Sequence, residues 1–188
     1  MDTRSALLAA ALKLLENEGE AAFSTRSVCA LAHVTAPTLY HHYGSADGLL
    51  SAAMTEAFAQ FLERKKSAVH SSEPVTALRE GWDDYVRFAA ARPRLYAAML
   101  GRVLQGAQIP AAQEAFELLR ERVATLKHAG RLCRSIEAAA DVMWASANSA
   151  SMLFVTAALR TTSPPAVDVL EDIREHALRS ILTPDLGH

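Results

Sequence analysis

Two helix starts crowded into about twenty residues constrain this chain more than any other feature. Ser24 is a good N-cap, and Phe23 before it can close on Val28 as a hydrophobic staple. Val28, Leu31 and Ala32 then share one side at helical spacing. A second start follows at once. Thr35 caps it, and Pro37 falls in the first turn, where its missing N–H costs nothing. Leu39 and Tyr43 repeat at i, i+4, which leaves Ala36, Pro37, Thr38, Tyr40, His41 and His42 mostly outward. An apolar helix holding a second one whose outer face carries hydroxyls, imidazoles and a phenol is a helix-turn-helix.

Thr25-Arg26, Val34, Pro37-Thr38-Leu39-Tyr40, His42 and Leu49-Leu50 resemble the N-terminal DNA-binding domain of TetR-family transcriptional regulators. The resemblance runs from about Arg4 to about Phe58, and the Thr-Leu-Tyr-x-His run is its most specific part. It implies an all-α fold: a three-helix helix-turn-helix domain over residues 1–48, then a helical effector-binding and dimerisation domain over 49–188. It further implies that Thr25, Arg26, Ala36, Pro37, Thr38, Tyr40 and His42 face operator DNA, with Thr25, Thr38 and Tyr40 mainly on phosphates. Arg26 is the best candidate for a bidentate contact to a guanine edge.

The chain departs from the family pattern in two places. His33 stands at the turn position usually given to Gly, so an imidazole-bearing residue must accept φ > 0. Ala46 stands where a phosphate-binding Lys is usual. Residues 1–50 carry three basic and five acidic side chains, a net charge of −2. Phosphate neutralisation supplies most DNA affinity, so each monomer is expected to bind modestly and with strong salt dependence.

The rest of the chain supports an all-α reading. Apolar residues make up 51% of it, while Gly and Pro number only 8 and 7, and β-branched alternation is missing. Helices are expected over Arg4–Glu18, with Leu8, Ala11, Leu12 and Leu15 inward; from Ser45 to about Ala68, with Leu49, Leu50, Ala53, Ala57 and Phe61 inward; and over Pro74–Arg92. A short one ends near Gly101, another spans Pro110–His128, and a last runs Val167–Leu182. His70–Pro74, Gly106–Pro110 and Thr161–Pro165 read as breaks. Arg64-Lys65-Lys66 reads as a solvated basic turn that complements the helix dipole rather than as a DNA contact. Ile136 to about Arg160 is apolar nearly all round, which suits either a central helix or one packed inside its own subunit on one face and on a second copy by the other.

Trp82, Tyr85, Tyr96, Met99, Phe116 and Trp144 can line a cavity for an apolar or aromatic effector, or form ordinary core. Asn148, an amide on an apolar helix, must bond a ligand, its twin across a two-fold, or a backbone carbonyl. Enzyme signatures are lacking: no nucleophile elbow, zinc-protease motif, phosphate loop or dinucleotide fingerprint occurs, and no cofactor is implied. His41-His42 has no Cys or carboxylate at ligand spacing, so no metal is expected. Cys29 reads as a core filler, and Cys133, between Arg131 and Arg134, as an inert thiol or a sensor. With no leader or bilayer-spanning run, the expected location is the cytoplasm.

The expected function is a homodimeric, ligand-responsive regulator, a repressor released from its operator by an effector. The alternative is a dimeric small-molecule-binding protein with lost or weak DNA binding, motivated by His33, Ala46 and the acidic balance. A third reading is a protein–protein interaction module built on residues 136–182.

Overall fold

A computed structural model describes residues 2–67, 71–107, 109–157 and 164–184. His70, Arg160 and Thr161–Ser163, which belong to breaks and a helix end expected above, lie outside them. The described residues hold nine α-helices. They are α1 (Thr3–Asn17), α2 (Thr25–Ala32), α3 (Ala36–Tyr43), α4 (Ala46–Ser67), α5 (Pro74–Ala91), α6 (Pro93–Leu104), α7 (Pro110–His128), α8 (Ile136–Val155) and α9 (Val167–Ile181). A single 3₁₀ turn, Glu20–Ala22, links α1 to α2. The all-α expectation holds, with an N-terminal helix-turn-helix followed by a helical domain.

The chain divides into two compact units, and α4 passes from one into the other. The first comprises residues 1–63 and 92–111, so α6 packs with α1 in the same unit as the helix-turn-helix. Its core holds Leu7, Leu14, Leu15, Val28, Leu39, Leu49, Met54 and Leu95. The second unit comprises residues 64–91 and 112–188. There α8 packs on α5 and α9 around Leu78, Trp82, Met143, Leu178 and Ile181. Arg79 and Glu175 pair at 2.9 Å, and Arg174 grips both oxygens of Asp83 at 2.7 and 2.8 Å, so two arginine–carboxylate pairs join α5 to α9.

The helix boundaries follow local chemistry. Asp2 caps α1 by accepting the Ser5 N–H at 2.7 Å, a bond that holds the Asp2 carboxyl below its usual pKa. Ser45 and Ser135 open α4 and α8 by accepting the Gly48 and Ala138 N–H groups. Four expectations need correcting. In α1 the buried face is Leu7, Ala10, Ala11, Leu14 and Leu15, while Leu8 and Leu12 are only half-buried; an almost unbroken Ala/Leu run gives periodicity little contrast. Leu31 is exposed, and Cys29 joins Val28 in the interior instead. Gly101 does not stop α6, which continues to Leu104. Finally, α8 ends at Val155, with Thr156 as its C-cap, short of the expected end at about Arg160, and of the two readings of its apolar surface a helix buried on every side does not hold. Its inner face is Ala139, Ala140, Met143, Ala147, Ala150 and Ser151, whereas Trp144 is 44% exposed.

Candidate nucleic-acid interface and interior polar groups

The turn between α2 and α3 is built by two caps and one strained residue. Ser24 and Ser27 form a reciprocal capping box: Ser24 Oγ accepts the Ser27 N–H at 3.1 Å and Ser27 Oγ accepts the Ser24 N–H at 3.0 Å. His33 ends α2 in the left-handed region, φ 55°, as its place in the sequence requires, and the Val34 N–H then closes on the Cys29 carbonyl at 3.0 Å. A non-glycine residue there costs roughly 1–2 kcal/mol of backbone strain. His33→Gly relieves it but loosens the unfolded chain by about 0.5–1 kcal/mol, so a net gain of about 0.5–1 kcal/mol is expected in urea unfolding.

Leu39, fully buried, is the one wholly interior side chain of α3. Tyr43, half-buried, donates its hydroxyl to the Arg4 carbonyl at 2.8 Å, and the Arg4 guanidinium lies 5.6 Å from its ring centre. Those contacts leave the opposite face outward. Tyr40 is 48% exposed, Pro37 and His41 are exposed, and Ala36, Thr38 and His42 are half-buried. Thr35 is the residue at the N-cap of α3, but its hydroxyl meets the Thr38 hydroxyl at 2.9 Å instead of a backbone amide. The Thr25 hydroxyl lies 3.4 Å from that of Tyr40, so the start of α2 and the middle of α3 share one polar edge. Arg26, the next residue of α2 after Thr25, is exposed. Helix N-termini carrying hydroxyls and a phenol suit phosphate oxygens.

The acidic balance of residues 1–50 is offset by α6. Arg102 bonds Asp47 at 2.6 Å and Ser51 at 3.1 Å. Arg92 meets Glu16 at 3.3 Å, and Arg94 donates to the Asn17 carbonyl. The unit as a whole has six basic and seven acidic residues, a net charge of −1. No local pattern in the first fifty residues could have announced these arginines, since each lies far along the chain from its partner, Arg102 by 55 residues from Asp47.

The seven residues read as effector-lining separate. Tyr96 and Met99 are buried in the first unit, while Trp82, Tyr85, Phe116, Trp144 and Asn148 belong to the second. Buried Trp82 donates its indole N–H to Ser146 Oγ at 2.9 Å. Tyr85 donates to Asn148 Oδ1 at 3.0 Å, and Asn148 Nδ2 donates to the Trp144 carbonyl at 2.8 Å. Asn148 thus bonds a backbone carbonyl, one of the three partners its sequence context admits. Phe116 and Trp144 meet edge to face with ring centres 6.4 Å apart.

Lys65 overturns the solvated reading of the basic run. It is only 8% exposed, and its Nζ donates to the Ala115 carbonyl at 3.1 Å. Burial, aided by the neighbouring Arg122 charge and opposed by Asp84, lowers its pKa to about 8. The signal was present: Ala57, Phe61 and Lys65 step along the inward face of α4 at i, i+4. Arg122 is likewise held below its usual pKa by burial, against the pull of Asp84 and Glu80. Its Nη1 is buried with no hydrogen-bond partner and lies where a side chain on Gly81 would stand. Among the described residues no group of three or more metal-ligating side chains occurs, and no helix is long and apolar enough to cross a membrane.

Residues 7–53 match the family model described as bacterial regulatory proteins, tetR family. No curated protein matches the chain by sequence. Among solved structures the chain is similar to a Rhodococcus sp. RHA1 protein of unknown function, with TM-score 0.82, 22% identity and 97% of each chain covered. It is also similar to a TetR family transcription regulator from Marinobacter aquaeolei VT8, with TM-score 0.72, 18% identity, and 96% of this chain and 95% of that one covered. A TetR-family transcriptional regulator from Haemophilus influenzae RD gives TM-score 0.65 at 20% identity, with 97% of each chain covered. The N-terminal helices are a TetR-type helix-turn-helix, and the chain has the fold of these regulators.

Proposed function

We propose that this chain, with its TetR-type helix-turn-helix, is a non-enzymatic transcriptional repressor that binds operator DNA as a homodimer and is released by a small-molecule effector. The observation that carries this reading is the outer face of α3. There exposed Pro37 and Tyr40 and half-buried Thr38 and His42 lie on a helix anchored by Leu39, the Thr25 hydroxyl meets Tyr40, and Arg26 of α2 is exposed. In this reading a two-fold dimer sets two such helices into major grooves about one helical turn apart. The outward face of α8, with Trp144, and the exposed Val167 and Val169 of α9 support pairing with a second copy through these helices. An effector bound in the second unit then favours a spacing of the two helices that no longer fits the grooves, by its differential affinity for the two states.

The test is a low-salt gel shift on DNA from the promoter region of its own gene. Arg26→Ala is expected to weaken binding by about 1–3 kcal/mol, roughly 5- to 100-fold, and to relax preference at one base pair per half-site. Equal binding by parent and variant across a panel of operator variants removes Arg26 from base reading. The second reading, a dimeric small-molecule-binding protein with lost or weak DNA binding, draws support from the −2 charge of residues 1–50 and from Ala46. It predicts no retardation at physiological salt, and at low salt at most a weak shift that does not distinguish promoter DNA from unrelated DNA.

A further inference from the structure

We infer that Arg4 grips a phosphate of the DNA strand beside α3, so that the first helix of the chain shares in holding the duplex. The inference rests on the reading of α3 as a DNA-binding helix and adds a backbone contact to it. No residue of α3 is a lysine or an arginine, so charge for the phosphates must come from its neighbours. The first unit has six basic side chains, and three of them serve other partners: Arg92 on Glu16, Arg94 on the Asn17 carbonyl and Arg102 on Asp47. Arg26 is assigned to a base edge above. Lys13 lies about two and a half turns further along α1, and so on its opposite side from Arg4. Arg4 is the remaining cation, and it is exposed.

Tyr43 places Arg4 for this contact. The Arg4 carbonyl accepts the Tyr43 hydroxyl at 2.8 Å, and the guanidinium lies 5.6 Å from the Tyr43 ring centre. Attraction to the ring uses the charge of the guanidinium and leaves its N–H fork for phosphate oxygens. Among the described residues no carboxylate pairs with Arg4, and its neighbour Asp2 is engaged with the Ser5 N–H. Tyr43 follows Tyr40 by three residues, so the two share one side of α3. Tyr40 meets the Thr25 hydroxyl at 3.4 Å, which sets two hydroxyls and then a guanidinium along one edge of the helix. Three residues of helix rise about 4.5 Å, a step that a long side chain spans easily. Neighbouring phosphates of one strand can therefore meet the hydroxyls and Arg4 together.

Gel-shift titrations of the full chain on its promoter DNA and on an unrelated duplex, over about 50–200 mM salt, test this. Each phosphate contact adds about 0.9 to the slope of log Kobs against log salt, and a two-fold dimer carries two copies of Arg4. Arg4→Gln is expected to make that slope shallower by about 1.8 and to weaken binding on the order of 10-fold at low salt, by the same factor on every operator variant. Arg4→Lys should restore the slope, because it restores the charge. A merely structural Arg4 would lower Tm on removal and leave the slope where it was. Arg4→Met, which keeps the stem against the ring, is measured beside Arg4→Gln so that one misfolded variant does not decide the result. The inference is overturned if the neutral variants keep the parent slope, or if they change base preference instead of weakening all operators alike; the regulator reading then stands. A protein that shifts both duplexes alike, with slope lost in Arg4→Gln, keeps this contact and loses the sequence-specific regulator. A parent that shifts neither duplex overturns both.

Discussion

Lys65→Met is expected to stabilise the protein at pH 7 by about 2–3 kcal/mol, an unusual sign for a buried substitution. Burial first, and the Arg122 charge second, bring the Lys65 pKa from 10.5 to about 8. A base whose pKa falls on folding holds its proton less well in the native state, so below pH 8 the folded protein carries the full cost of a charged Lys65. That cost fades as pH rises from about 8 to 10.5, and above 10.5 it is gone. The gap between variant and parent should therefore be widest at neutral pH and close across that alkaline window, read as urea-unfolding free energies at pH 7 and pH 10. Methionine follows the path of the lysine stem and keeps its packing. The Ala115 carbonyl loses the ammonium donor but, inside α7, keeps its intrahelical one. A gap of constant size from pH 7 to 10 would mean that packing, and not charge, sets the difference.

The second large effect is expected at Leu39. Leu39→Ala should cost about 3–4 kcal/mol and abolish operator binding, because α3 buries only this side chain completely. Beyond it, α3 is held by half-buried side chains, Ala36, Thr38, His42 and Tyr43, and by the hydroxyl of Tyr43 on the Arg4 carbonyl. Tyr40→Phe makes the contrast. Tyr40 is exposed and its nearest polar neighbour is Thr25 at 3.4 Å, so stability should change by less than about 0.5 kcal/mol while DNA affinity falls. Melting curves and gel shifts on the two variants separate anchoring from contact. A Leu39→Ala protein that melts like the parent would show that α3 is held from elsewhere.

Much of the fold was legible because local chemistry marks helix ends. Ser24 caps α2 as expected, Ser45 and Ser135 cap α4 and α8, and Gly130, at φ 68°, closes the turn after α7. His33 was readable for the same reason, since a turn of that length demands a left-handed residue whatever its side chain. What escaped depends on contacts distant in sequence. The outward Leu31 and the choice of Leu7 over Leu8 follow from which neighbour each helix meets, and a run of Ala and Leu does not record that. Arg102 of α6 and the preceding Arg92, which bond Asp47 and Glu16, were invisible to a charge count over fifty residues. Lys65 was misjudged because its residue type outweighed its place on the inward stripe of α4.

The sparse attachment of α3 also bears on how such a protein diversifies. A helix with one fully buried leucine beneath it and one phenol at its end leaves exposed Pro37, Tyr40 and His41 few duties toward the interior. If α3 reads DNA as proposed, substitutions at Pro37, Tyr40 or His41 alter which promoters are recognised at little cost to the scaffold, so a duplicated copy could drift to new target genes while its helical body stayed the same.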